Sequence, residues 1–294
     1  MALIDPRTKY PSEFDKEPRQ DNPGLEVAMT TEPDLGAATY AGSGKLAGRR
    51  ALITGGDSGI GAATAIAFAR EGADVAIAYL PEEQEDAERI LAFIEDAGQQ
   101  ALGIPGDLTE LANCVAAVEK TVEAFGGIDI LVNNASRQVW NDGILNVSDE
   151  DFDATMKTNI YSAFRVTKEA VKHMEAGSSI IFTTSIQAYD PSKELLDYAV
   201  TKAAFNNLAK GLSGELLPSK GIRVNAVAPG PIWTVIQPAE GQPEEVVDNF
   251  GQGSDMGRPG QPAELAGAYV FLASEDASYI SGETLAVTGG ALTP

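Results

Sequence analysis

Thr54-Gly55-Gly56-Asp57-Ser58-Gly59-Ile60-Gly61 is the stretch on which the fold turns. The apolar run Ala51-Leu52-Ile53 leads straight into it, and a helical pattern from Ile60 to Arg70 leaves it. Strand, glycine turn and helix in that order open a βαβ unit. Without Cβ atoms the backbone of the turn can approach a bound phosphate closely. The helix start adds free N–H groups and the positive end of its dipole. A glycine turn alone says little; the strand before it and the helix after it make it specific.

Working outward, the same grammar repeats. Val75 to Ala78 precedes a helix near Glu82 to Ala97, and Ala101 to Ile104 one ending near Phe125. Ile128 to Val132 precedes a long helix from about Ser148 to Met174. Ile180 to Phe182 precedes a helix around Leu195 to Leu217. Ile222 to Val227, a helix near Pro262 to Ala273 and Thr284 to Val287 complete the series. About seven strands alternate with at least six helices, which predicts an α/β fold: a doubly wound parallel sheet with helices on both faces, in a single domain over residues 46–294. Residues 1–45 break the pattern with Pro6, Pro11, Pro18, Pro23 and Pro33. Prolines remove backbone donors and block helices, so this is an extended N-terminal arm, either an inert tail or one that packs on a neighbouring subunit. Residues 238–259 combine glycines and acids in the manner of a substrate lid, or of a plain surface loop.

Charge and cysteine content narrow the function. With 21 Lys and Arg against 43 Asp and Glu, the net charge is −22. That surface repels nucleic acid and anionic membranes. No apolar run approaches the ~20 residues of a membrane span, and no signal-peptide core stands at the start. The one cysteine, Cys114, has no partner for an intrachain disulfide and sits in an apolar helical pattern, as a core thiol would. A cytoplasmic protein is the expectation. No His/Cys/Asp/Glu group has metal-ligand spacing, so no metal is expected. His173, the only histidine, falls near a helix end, where a cation is favoured without any catalytic role.

Tyr198 and Lys202 stand four apart on a predicted helix and so share a face. An ammonium beside a phenol stabilises phenolate and lowers its pKa, which suits proton transfer to an alkoxide. Ser185 ends the fifth strand, thirteen residues before Tyr198, and its hydroxyl can hydrogen-bond a developing alkoxide. Trp140, Gln187, Tyr189 and Trp233 follow strand C-termini, where ligands bind in such sheets; each lines a substrate pocket or packs in the interior.

Thr54-Gly55-x-x-x-Gly59-x-Gly61, with Ser185, Tyr198 and Lys202, resembles the short-chain dehydrogenase/reductase family in its compact one-domain form. It lies near bacterial stress-associated and glucose-dehydrogenase-like members that carry an N-terminal extension. The resemblance covers roughly Leu46 to Gly290 and implies a Rossmann fold and hydride transfer between an alcohol and an aldehyde or ketone. It also implies a dinucleotide cradled by Thr54, Gly55, Asp57, Ser58, Gly59, Ile60 and Gly61. Asp107, with Leu108, resembles the adenine contact, and Asn133-Asn134-Ala135 the stretch by the adenosine ribose. Pro229-Gly230-Pro231-Ile232-Trp233-Thr234 resembles the segment that holds the nicotinamide carboxamide. Asn159 matches the family's helix asparagine, which implies a water relaying protons from Lys202. A homotetramer is implied too, with the two long helices and the strand Ile280 to Val287 buried between subunits.

Two departures matter. Ser136 stands where the family often has Gly. The positions that select the cofactor are Tyr79 and Leu80, neither an acid for a ribose 2′-hydroxyl nor an Arg for a 2′-phosphate. Glu82 and Glu83 stand close by, and their charge would oppose a phosphate dianion. The cofactor is therefore NAD or NADP, with NAD favoured, and the partner a small alcohol or carbonyl compound. Two alternatives stay open from the sequence: a nucleotide-binding redox sensor without turnover, and a short-chain-type epimerase or dehydratase.

Overall fold

The computed structural model describes residues 3–14, 16–291 and 293; positions 1, 2 and 15 of the arm, and 292 and 294 of the segment that follows it, lie outside them. Seven strands form one parallel sheet: β1 (Arg50–Thr54), β2 (Asp74–Tyr79), β3 (Ala101–Pro105), β4 (Ile130–Asn133), β5 (Ser179–Thr183), β6 (Arg223–Pro229) and β7 (Thr284–Val287). Their order is β3-β2-β1-β4-β5-β6-β7. The direction of winding reverses between β1 and β4, where Thr54 sits beside Asn133. The crevice at such a reversal is the ligand site of doubly wound sheets.

Alternation along each strand builds the two layers. Ile53, Ile77 and Val132 face α1 (Gly59–Arg70), α2 (Gln84–Asp96) and α8 (Pro262–Ala273). Leu52, Ala76 and Leu131 face α3 (Leu111–Phe125), α5 (Ser162–Ala170) and α6 (Leu196–Lys220). Both faces of every central strand are covered, which is why the strands read as continuous apolar runs. In α1 the alanines and Phe68 are buried all round, because that helix lies between sheet, α2 and α8. Cys114 is a core thiol: it donates to the Leu108 carbonyl at 3.1 Å, and burial pushes it up to about 11.

The helix expected over 148–174 is interrupted. α4 (Asp149–Met156) passes through a π-turn at Lys157–Tyr161 into α5, which ends at Ala170. Buried Asn159 lies in that turn, and π-turns concentrate at functional positions. α6 runs to Lys220, past Pro218, and stops at left-handed Gly221. No helix among the described residues is long and apolar enough to cross a membrane.

The arm lies along its own chain. Phe14 stacks on Trp233 at 3.7 Å between ring centroids, and with Met29, Val235, Val247 and Phe250 they form a third apolar cluster. A turn at Gln237–Gly241, kinked at Ala239 and Glu240, leads into residues 238–259, which hold the short α7 (Glu244–Val247). The arm grips them through Gln20 N–H to the Pro238 carbonyl, and Gln252 returns a bond to the Ser12 carbonyl.

Candidate active site

A cavity of about 580 Å³ follows the C-terminal ends of β1 to β6. Its walls carry most of the residues singled out in the sequence: Gly55, Asp57, Ser58, Gly59 and Ile60 from the first turn; Tyr79, Leu80, Asp107 and Leu108 beyond β2 and β3; Ala135 after β4; Ser185, Tyr198 and Lys202; and Pro229, Gly230, Ile232 and Thr234 after β6. Thr54, Gly61, Asn133 and Asn159 stand behind the wall. Thr54 Oγ1 accepts the N–H groups of Asn134 and Ala135 at 3.0 and 3.1 Å and so fixes the chain leaving β4. At Gly61 a Cβ would lie 1.8 Å from the Gly55 carbonyl oxygen, so the turn closes only around glycine. Asn133 donates to Thr167 Oγ1 at 2.9 Å.

The middle of the cavity has the shape of a phosphate cradle. Gly59 opens α1, and a Cβ there would meet Thr234 Cγ2 at 2.9 Å on the opposite wall. The glycine thus keeps a narrow slot open beside the helix start.

At the β2 end the charge is acidic. Asp57 is buried, and its Oδ2 has no hydrogen-bond partner among the described residues. Half-buried Glu83 accepts the Leu80 N–H at 2.9 Å. Burial first, and then mutual repulsion with neighbouring carboxylates, raises both groups above the ordinary carboxylate range. Glu82 is exposed and stays off the wall. Tyr79 borders the cavity while its hydroxyl donates to Gln84 at 2.9 Å. Asp107 turns its carboxylate onto Thr109 N–H and Oγ1, both at 2.8 Å.

At the β5 end Ser185 lies beside the Tyr198 hydroxyl. Lys202 is buried beneath, its Nζ 5.2 Å from the centre of the Tyr198 ring and donating to the Thr183 carbonyl at 2.9 Å. The expected depression of Tyr198 is absent in the protein by itself. Burial pushes Tyr198 up to about 12, with Ser185 pulling it back, and burial pushes Lys202 down to about 7. One cause moves both: each charged form loses water, and a lysine that sheds its proton near neutrality gives a phenolate little support.

The side chain of Asn159 is held by protein groups. Its Oδ1 accepts the Arg137 N–H at 2.7 Å, and its Nδ2 donates to the Arg137 carbonyl and to Thr201 Oγ1, both at 3.0 Å. Both amide hydrogens are used, so the side chain ties the β4 exit to α6. Of the two readings open for Trp233 it takes interior packing: it is wholly buried against Phe14, and its indole N–H donates to the Thr31 carbonyl at 2.9 Å, away from the cavity. Trp140 and Tyr189 stay off the wall, whereas Gln187 lines it.

Several wall residues had no signal of their own in the sequence. Asn22 and Pro23 come from the arm. Arg137 and Gln138 follow β4 just past Ser136, at the strand ends where ligands bind, and that position was the one clue to them. Gln237 comes from the turn that leads into residues 238–259, with Oε1 buried and unpartnered among the described residues.

A nicotinamide dinucleotide fits this cavity: a glycine slot at a helix start for its phosphates, an unpartnered buried carboxylate at one end, and a serine–tyrosine–lysine group at the other. These features define a dinucleotide-dependent oxidoreductase site on a doubly wound sheet. The sequence matches the family described as enoyl-(acyl carrier protein) reductase over residues 55–292. It is 49% identical over 289 residues to the oxidoreductase YghA of Escherichia coli (strain K12), covering 98% of each chain. It is 44% identical to the NADPH-dependent aldehyde reductase 1, chloroplastic, of Arabidopsis thaliana, covering 95% of this chain and 98% of that one. Among solved structures, a short-chain dehydrogenase from Burkholderia cenocepacia J2315 in complex with NADP superposes with a TM-score of 0.78 at 35% identity, over 84% of this chain and 98% of that one. The chain belongs to the short-chain dehydrogenase/reductase family and is an NAD(P)-dependent oxidoreductase.

Proposed function

We propose that the chain interconverts a small alcohol and its aldehyde or ketone, with Tyr198 as acid/base, and that it prefers NAD. The observation that carries the first half is the placement of the Ser185 and Tyr198 hydroxyls side by side on the cavity wall with Lys202 buried beneath them. A bound nicotinamide supplies or accepts the hydride. In reduction, Tyr198 Oη gives its proton to the oxygen that becomes the alcohol; in oxidation it takes that proton back. Ser185 Oγ–H donates to the same oxygen and holds it near Tyr198. Lys202, when protonated, favours phenolate at Tyr198. Asn159 positions Arg137, and Thr201 Oγ1 donates to the Tyr198 carbonyl at 2.7 Å, so the first turn of α6 is pinned.

The NAD preference rests on Asp57 and Glu83. An unpartnered buried carboxylate accepts ribose hydroxyls readily, and two acids at one wall, where ionised, repel a 2′-phosphate. Glu83 replaces the pair Glu82 and Glu83 in that role, because Glu82 faces away. Residues 238–259 serve as the lid, bringing Gln242 and Phe250 to the wall. A homotetramer is supported by the half-exposed apolar side chains Tyr161, Phe164 and Val200 on the α5–α6 side, and by β7 at the sheet edge. The cytoplasm suits a chain with one buried thiol.

The test is nicotinamide absorbance during turnover of a panel of aldehydes, ketones, sugars and alcohols with each cofactor. Turnover with NADH or NAD⁺ at higher kcat/KM than with the phosphorylated form is expected. Higher kcat/KM with NADPH, as the Arabidopsis relative's name describes for that enzyme, would overturn the preference and keep the chemistry. Wild-type protein inert with both cofactors across the panel would count against the enzyme reading.

A further inference from the structure

The arm reaches the cavity at one place, residues 22–26, and there it touches both halves of the site. Asn22 and Pro23 line the wall. Gly24, at φ +78°, is pressed against the lid base: a Cβ would lie 2.7 Å from Ala239 Cβ and 3.0 Å from Val235 Cγ2. Glu26 is wholly buried, and its Oε2 accepts the Gly59 N–H at 2.8 Å. Its Oε1 meets Arg89 Nη2 at 2.5 Å. The loop itself is locked from α2, where Asp86 accepts the N–H groups of Glu26 and Val27 at 2.6 and 2.9 Å.

We propose that Glu26 is a positioning residue of the dinucleotide site, holding the glycine turn open for the phosphates and so setting cofactor affinity. Gly59 is the first residue of α1 and has a left-handed backbone (φ +50°). Its N–H points away from the slot and needs an acceptor in a dry environment. Glu26 supplies one from behind and so fixes the backbone of the turn where α1 begins. A bare carboxylate at a helix start would also compete electrostatically with the incoming phosphates. Arg89 offsets that charge, which lets a carboxylate sit beside an anion site. The unpartnered Asp57 Oδ2 on the same turn marks the turn as shaped for a ligand. Glu26 lies outside residues 55–292, the stretch that matches the family, so this support is added by the arm.

The inference rests on the dinucleotide reading, and the experiment separates the two. Dissociation constants for NADH and NADPH are measured by fluorescence titration on wild type, Glu26→Gln and Glu26→Ala, with kcat at saturating cofactor and thermal midpoint recorded for each. Glu26→Ala is expected to weaken both cofactors by about tenfold, with kcat changed less than about twofold. Glu26→Gln keeps an oxygen for Gly59 N–H and is expected to stay within about threefold of wild type. If Glu26→Ala does not fold, Glu26→Asp, which retracts the carboxylate by one methylene, carries the test with about fivefold weaker binding expected. Unchanged affinity in Glu26→Ala or Glu26→Asp overturns the inference, as does Glu26→Gln binding as weakly as Glu26→Ala. Wild-type protein that binds neither cofactor overturns instead the reading on which it rests.

Discussion

Replacing Lys202 by Met should make the fold more stable while nearly abolishing activity, and the gain should vanish in alkali. Lys202 is 1% exposed, and burial lowers its proton affinity from 10.5 to about 7. At 1.36 kcal/mol per decade, carrying the proton inside costs roughly 5 kcal/mol. At pH 7 the folded-state lysine is about half protonated and the unfolded one wholly so, leaving a penalty of roughly 4 kcal/mol. The unfolded chain binds more protons between pH 7 and 10.5, so wild-type stability rises with pH across that window. The penalty falls to roughly 2 kcal/mol at pH 9. Met removes it but leaves the Thr183 carbonyl without its donor, a loss of about 1–2 kcal/mol. The variant should therefore exceed wild type by about 2–3 kcal/mol at pH 7 and match it near pH 9. Urea unfolding of both proteins at fixed protein concentration, without cofactor, from pH 7 to 9.5 reads this directly. A stability difference that does not change with pH, or a variant less stable at pH 7, would refute the reasoning.

Tyr198→Phe deletes one hydroxyl from the cavity wall and leaves the ring in place; kcat should fall about 10²–10⁴-fold, with cofactor dissociation constants within about twofold of wild type. Asp57→Asn with Glu83→Gln should improve NADP(H) binding at least tenfold over NAD(H), read from the ratio of dissociation constants at pH 8.5, where the wild-type acids are charged. In wild type, discrimination against NADP should weaken as pH falls from about 8 to about 6, the two values to which burial raises Glu83 and Asp57, because both acids then take up protons. Trp233→Ala removes the stack with Phe14 and the bond to Thr31 and should cost about 3–5 kcal/mol in urea unfolding; because that cluster seats residues 238–259, the KM for the carbonyl substrate should rise more than that for the cofactor.

The sequence by itself determined the sheet, its winding and the address of the site. Apolar runs alternating with amphipathic helices leave one economical arrangement, and glycines between β1 and α1 place a phosphate at its reversal point. Ser185, Tyr198 and Lys202 were legible because strand end and helical spacing are local properties. What only the tertiary structure decided depends on groups distant in the chain. Burial, a property of the packed molecule, raised Tyr198 and lowered Lys202, against the expectation from their spacing alone. The acid that faces the β2 end of the cavity is Glu83 and not Glu82, because the 3₁₀ turn at Pro81–Glu83 rotates one inward and the other out. Asn159 spends its amide on Arg137, twenty-two residues away, and Trp233 spends its indole on Thr31, two hundred and two away. The arm carried no periodicity to read, since it is held by scattered contacts to groups far away in the chain, such as Asp86 and Trp233. Its grip on the glycine turn through Glu26 exists only once α1, α2 and the segment around Val235 and Ala239 have come together.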